Sequence, residues 1–238
     1  LEQTFTGYVA NMQARKGYFV ARTLLNRNMA DELAVNDLYN RLIEYPFDLE
    51  AASEVGTDVI FAAFEKFIRI AWREQIGPVI TKEALDALQI RASKKVPGEF
   101  SDFVRFIFSD MAPQNRRAFT ALVKLLADLL EGCSNDGDRG ALTLAFAELL
   151  VEDGTAPNYI NLLDLLVEDC ERIFDYTDPT TLLLQTYEAL MANQKGSKSA
   201  TGSVSSNTSS LRRKFGWDSL LRQNSKGDSD RPSVWRTL

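Results

Sequence analysis

Lys66, Arg69 and Arg73 recur at three- and four-residue steps, with Glu65 and Glu74 beside them, inside a stretch that is otherwise almost wholly apolar. Cations set that way on a helix serve one of two ends. They pair with carboxylates on the same surface, as Glu65 and Arg69 would at i,i+4 for only a few tenths of a kcal/mol. Alternatively they stay free to hold an anionic partner. The residue types missing from the chain narrow the rest of the chemistry. There is no histidine, which removes Ser-His-Asp and Cys-His catalysis and histidine-ligated metal sites. Cys133 and Cys170 fit no CxxC pattern and read as two incidental thiols of a reduced protein. The acidic pairs Glu152-Asp153 and Glu168-Asp169 lack the spaced, desolvated arrangement of a general acid and base, and are read as solvated. No glycine-rich loop is present to cradle a phosphate. No metal or cofactor is expected.

The cations need a scaffold, and the stretch Thr57–Ile80 is its centre. Val59, Ile60, Ala63, Phe64, Phe67, Ile68, Ala71 and Trp72 fall on one broad helical face. Thr57 is a candidate N-cap, and Gly77-Pro78 ends the helix. A helix this apolar belongs inside a bundle, so the other elements must pack around it. Leu1–Arg15 is amphipathic, with Phe5, Tyr8, Val9 and Met12 inward, and closes at Gly17. Met29–Glu44 is a second amphipathic stretch, with Leu33, Leu38, Leu42 and Ile43 inward. Phe47–Gly56 links it to the central helix. Thr81 caps a helix running to Lys94. Ser101 caps a short aromatic one whose Phe100, Phe103, Phe106 and Phe108 read as core.

Asn115–Glu131 carries five core leucines. Gly132–Gly140 is rich in turn formers and reads as a polar loop. Ala141–Val151, a helix from Pro157, and a last one over Thr180–Asn193 complete the set. No segment alternates with period two, so the fold is all-α, a bundle of eight or nine helices over residues 1–194.

Charge divides the chain a second way. From Lys195 to Leu238 the net charge is +6, and Leu1–Gln194 carries −12. The first part of that tail is Gly/Ser/Thr/Asn-rich, and residues 195–238 are expected to be a flexible basic segment. Phe215, Trp217 and Leu220 are its candidate anchors for an anionic membrane. Ser225 and Ser233 are candidate sites for basophilic kinases. An acidic globule argues against a nucleic-acid partner. With no apolar run of about 18 residues and no signal sequence, a cytoplasmic location is expected, at the cell cortex or near a membrane if the tail adheres. The start within an apparent helix is expected of a piece of a longer protein.

Four motifs resemble one family, the Rho GTPase-activating (RhoGAP) domain. Trp72-Arg73-Glu74-Gln75-Ile76-Gly77-Pro78-Val79-Ile80 is similar to its LRELPEPLL segment, with Arg69 where the family has a helix lysine four residues earlier. Met111-Ala112-Pro113-Gln114-Asn115 resembles its LPxxN turn. Asn135–Arg139 followed by Leu142-Thr143-Leu144-Ala145 resembles its NKM…NLA region. Gly17-Tyr18-Phe19-Val20 resembles the GIFR that ends in its arginine finger. The resemblance implies a Rho-family small GTPase as partner, met by Lys66, Arg69, Arg73, Asn115 and Arg116. It also implies the fold of that family.

The departures bear on activity. A finger guanidinium neutralises charge building on the transferred phosphoryl group, worth about 10³–10⁵ in rate. Here its place is taken by Val20, which has nothing to donate. Arg22 lies two residues on and Arg27 seven on, and either re-registers the finger if the domain is active. The family's FGP after NLA is replaced by Glu148-Leu149-Leu150, and its loop asparagine falls near Gly137, with Asn135 two residues early. Three readings stay open: a GTPase-binding module with weak or no activation, an active GTPase activator using Arg22, and a helical scaffold with no GTPase partner.

Overall fold

In a computed structural model the chain is described for residues 1–17, 19, 21–96 and 98–174, all within one unit, Leu1–Thr177. Val20, the helix expected over Thr180–Asn193, and the segment from Lys195 with Ser225 and Ser233 lie outside the described residues.

The described residues are helical throughout, with no strand among them. The α-helices in chain order are α1 (Glu2–Ala14), α2 (Glu32–Glu44), α3 (Leu49–Ser53), α4 (Thr57–Phe67), α5 (Arg73–Ile76) and α6 (Lys82–Ser93). They continue with α7 (Glu99–Asp110), α8 (Pro113–Glu131), α9 (Asp136–Leu150), α10 (Ile160–Glu168) and α11 (Cys170–Phe174). That makes eleven among the described residues, against the eight or nine expected. The surplus comes from pieces of five residues or fewer, α3, α5 and α11, which are too short to leave a periodic signal. Two 3₁₀ segments, Ala21–Met29 and Ala156–Tyr159, fill connections.

α4 runs on through a π-helical segment, Ile68–Trp72, into α5 without leaving helical dihedrals. This rod is the centre of the bundle, as its composition required. Ile60, Phe61, Ala63, Phe64 and Phe67 are fully buried, and Trp72 is 1% exposed. From one side Phe5 of α1 meets Phe64 edge-to-face and Tyr8 meets it at a tilt, at centroid distances of 5.3 and 5.2 Å. Phe61, left off the inward face in the sequence reading, meets Phe146 of α9 from the other at 5.6 Å. A rod covered on both sides buries more of its circumference than a one-sided stripe.

Gly77, at φ +93°, ends the rod, and Thr81 caps α6 through its hydroxyl, which accepts from the Ala84 N–H at 3.3 Å. α1 packs on α8; α2 and the segment Ala21–Met29 pack on α4; α9 packs on α8, α10 and the same segment.

Several local expectations are corrected. Gly56, not Thr57, is the N-cap of α4, and Thr57 is buried in the first turn. Ser101 is likewise inside α7, whose N-cap is Gly98 at φ +79°. In α2 the buried face is Val35, Leu38 and Leu42, while Leu33 and Ile43 are 68% and 43% exposed. Leu33 and Ile43 lie off the i, i+3, i+7 row that faces α4. In α7 the inward row is Phe100, Val104 and Phe108; Phe106 is 61% exposed and stacks on Phe103 at 6.1 Å.

The polar stretch Gly132–Gly140 is a loop only as far as Asn135. The side chain of Asn135 accepts from the Asp138 N–H at 2.9 Å, so α9 starts at Asp136 with two acidic residues in its first turn. A side-chain cap and acids at the positive end of the helix outweigh two glycines.

Candidate functional site

The expected site residues fall into three places, with Lys66 apart from all of them, and α9 contributes partners to the first and the third. At its C-terminal end the rod presents Arg69 and Arg73. The Arg69 guanidinium pairs with Glu65 at 2.5 Å and donates to the Glu148 carbonyl at 3.2 Å. Arg73 pairs with Glu152 at 2.7 Å. Arg27 enters from the 3₁₀ segment and pairs with Glu65 at 2.5 Å and with Glu148. Its guanidinium also lies 5.5 Å from the Phe61 centroid.

Glu65, expected as the i,i+4 partner of Arg69, is only 8% exposed and is shared by two arginines. The side chain of Arg27 is 13% exposed. Burial works against its charge, and the hydrogen bonds it donates to Glu65 and Glu148 outweigh that, holding its pKa above the ordinary value. An arginine held that way is a structural cation, which sets Arg27 aside as a re-registered finger. Glu152 and Asp153, read as solvated, are indeed exposed, and they are the ion-pair partners of Arg73 and Lys82.

The second place is the turn after the rod. Asn115, in the first turn of α8, donates its side-chain amide to the Pro78 carbonyl at 2.7 Å and to that of Val79 at 3.4 Å. Two of the motif segments are therefore bonded to each other. Arg116 sits next to it and reaches the Phe108 carbonyl at the end of α7 at 3.5 Å. Lys66 turns away from this group toward α2, where it donates to the Asn36 side chain and lies 5.0 Å from the Tyr39 centroid.

The third place is the start of α9. Arg22, at the head of the 3₁₀ segment, donates through Nε to the Asp138 carboxylate at 2.6 Å, and its side chain is 69% exposed. The other Asp138 oxygen accepts from the Asn135 amide at 2.8 Å. The hydrogen bond from Arg22 is the largest cause holding the Asp138 carboxyl below the ordinary carboxylate value. Asp138 and Glu148 are separated by ten positions of α9, roughly 15 Å along the helix. Arg22 is thus apart from the Arg27–Arg69–Arg73 group rather than one surface with it.

Sequence reasoning did not anticipate Asp138, Glu148 or Glu152 as partners. Their pairs join residues as many as 121 positions apart, and no local spacing announces such contacts. The Glu65–Arg69 pair was visible because it is i,i+4.

Among the described residues no cluster of His, Cys, Asp and Glu is fit to hold a metal ion. No helix among them is long and apolar enough to cross a membrane. Among the described residues an apolar cavity of about 10 Å³ lies between Phe119, Leu126, Phe146 and Leu163; at that size it holds one water at most. The chain matches no family model, no curated protein and no solved structure.

Proposed function

We propose that this is a RhoGAP-like module that binds a Rho-family small GTPase and accelerates its GTP hydrolysis weakly or not at all. The observation that carries the reading is the placement of Ala21–Met29. This segment follows the motif that would end in the finger, and it packs on both the rod that bears Arg69 and Arg73 and the helix that begins after Asn135. The segment therefore links three of the four motif regions in one scaffold, with Arg22 at its head standing apart from Arg69 and Arg73, and the Asn115–Pro78 bond ties in the fourth. The low activity follows from Val20 at the finger position and from the internal pairing of the described arginines. Arg27, Arg69 and Arg73 are neutralised by Glu65, Glu148 and Glu152.

That same neutralisation favours the second reading, a helical scaffold with no GTPase partner. The two are separated by binding. Rho-family GTPases loaded with a non-hydrolysable GTP analogue are expected to bind more tightly than the GDP forms, with single-turnover hydrolysis raised by less than about tenfold against 10³–10⁵ for a working finger. Absence of binding across the family overturns the proposal in favour of the scaffold. A stimulation on the order of 10³-fold, lost in Arg22→Ala, replaces it with an active GTPase activator. A cortical or membrane-proximal site of action belongs to the same proposal. It rests on the +6 charge of residues 195–238, and salt-dependent sedimentation with anionic vesicles tests it.

A further inference from the structure

We propose that the Arg22–Asp138 ion pair is an autoinhibitory latch that holds the domain's most exposed candidate finger away from the bound nucleotide. The inference rests on the GTPase-binding reading above. It begins from a cation in an unfavourable place. The Arg22 guanidinium lies over the first turn of α9: its Nη2 is 3.8 Å from where a Cβ on Gly137 would be, in ordinary contact. The N-terminus of a helix carries about half a unit of positive charge, so a cation there is repelled. What reverses the repulsion is the Asp138 carboxylate, at 2.6 Å. Asn135 fixes that carboxylate on its other oxygen at 2.8 Å. Gly137 leaves the space, and any larger residue there would crowd the Asn135 Oδ1, 3.3 Å from the Cβ position.

The latch is weak by construction. The Arg22 side chain is 69% exposed, so solvent screens the pair and it can hold back the free arginine only a few-fold. Without the Asp138 carboxylate the guanidinium loses its bonded partner at the positive end of α9, where Asp136 is the acid that remains in the first turn, and Arg22 is freed to sample outward positions. A freed Arg22 would act on the GTPase's own reaction. Water attacks the γ-phosphorus, the bond to the bridging β–γ oxygen breaks with its electron pair going to GDP, and inorganic phosphate leaves. The guanidinium neutralises the charge on the transferred group and takes up no proton or electron.

The test uses the full chain as wild type, Asp138→Asn, Arg22→Ala and the double variant. In ¹⁵N-labelled protein without partner, the Arg22 Nε–H resonance, assigned by its loss in Arg22→Ala, is expected to be slowed in exchange with water in the wild type and fast in Asp138→Asn. Equal exchange in the two overturns the latch whatever the partner does. With a GTPase of the Rho family, Asp138→Asn is expected to raise single-turnover hydrolysis by about two- to fivefold, the most that releasing so exposed a pair can add, and Arg22→Ala to cancel that gain. Binding with no gain overturns the latch and leaves the binding reading standing. No binding by any variant overturns both. Asp138→Glu, which keeps the cap region acidic, is expected to stay near the wild-type rate; a gain there as large as in Asp138→Asn would trace the effect to a loosened α9 and overturn the latch.

Discussion

Asn115 and Pro78 are joined by a 2.7 Å hydrogen bond from the asparagine amide to the proline carbonyl, across 37 positions of sequence. The bond links the start of α8 to the turn where the central rod ends. Pro78 itself is exposed, whereas Val79, whose carbonyl the same amide reaches at 3.4 Å, is buried. Asn115→Ala is expected to cost about 1 kcal/mol, since water can replace one acceptor's partner and not readily the other's. Asn115→Asp sets a carboxylate against two carbonyl oxygens and is expected to cost more, about 1–3 kcal/mol. Urea unfolding with an unchanged slope checks both. A neutral Asn115→Asp would show that the bond contributes nothing.

Glu65 lies between Arg27 and Arg69, with the Arg27 and Glu65 side chains 13% and 11% exposed. Removing one partner of such a pair leaves the other charged and poorly solvated, which costs up to about 3–5 kcal/mol for a fully buried pair. Arg27→Met is expected to fall somewhat below that, because Arg69 still reaches Glu65. Replacing both, Arg27→Met with Glu65→Leu, is expected to recover a large part of the loss, because desolvation no longer has to be offset. Chemical denaturation of the four proteins in a double-mutant cycle measures the coupling. Strict additivity would mean that the two groups do not interact.

Gly7 runs counter to its own helix propensity. An alanine in the middle of α1 is worth up to about 1 kcal/mol over glycine on intrinsic preference. In the fold, however, a Cβ at position 7 would overlap the backbone carbonyl of Pro46, at the turn after α2. Gly7→Ala is therefore expected to lower the thermal midpoint, with backbone displacement costing at least the 1–3 kcal/mol typical of overpacking. A raised midpoint would mean that α1 and the turn are not in contact.

The sequence carried the architecture further than it carried the site, and the aromatic helix α7 shows why. Helical periodicity located α7 and made its phenylalanines look like one cluster. Which of them faces inward depends on where α6, α8 and α11 sit, and that is a property of the assembled bundle. Phe108 is 1% exposed, against Phe119 and Phe174 at 5.6 and 5.5 Å; Phe106, two residues earlier, is 61% exposed. The charged groups obey the same division. Glu65–Arg69 follows from helix geometry, while Arg22–Asp138 spans 116 positions and is set by tertiary packing alone.

The two phenylalanines give that distinction a measurable form. Phe108→Ala is expected to cost about 3–5 kcal/mol, as buried Phe→Ala changes do. Phe106→Ser, at the surface, is expected to stay within about 0.5 kcal/mol. A loss at position 106 comparable to that at 108 would show that a further element covers α7.

Acid should loosen the bundle through three carboxylates that the fold holds below their ordinary value. Asp48 accepts from the Ala51 N–H and then from Arg41; Asp138 accepts from Arg22 and from Asn135; Asp153 accepts from Lys82, then from the hydroxyl and N–H of Thr155. A depressed folded-state value means that the unfolded chain binds protons first. The stability from these groups is therefore fully present above the ordinary value of 3.8 and is lost as pH falls below it toward the folded-state values. Lys82 has the opposite sign: its pKa is raised above 10.5, chiefly by the Asp153 hydrogen bond, so its contribution fades only as pH climbs past that value. All of these groups are at the surface, so salt should weaken the effect. Asp153→Asn is expected to be less stable than wild type at pH 7 and to lose much of that difference between pH 4 and pH 2, the remainder going only at still lower pH, as followed by urea midpoints. A difference that stayed constant across that range would show that Asp153 stabilises through its shape and neutral hydrogen bonds rather than through its charge.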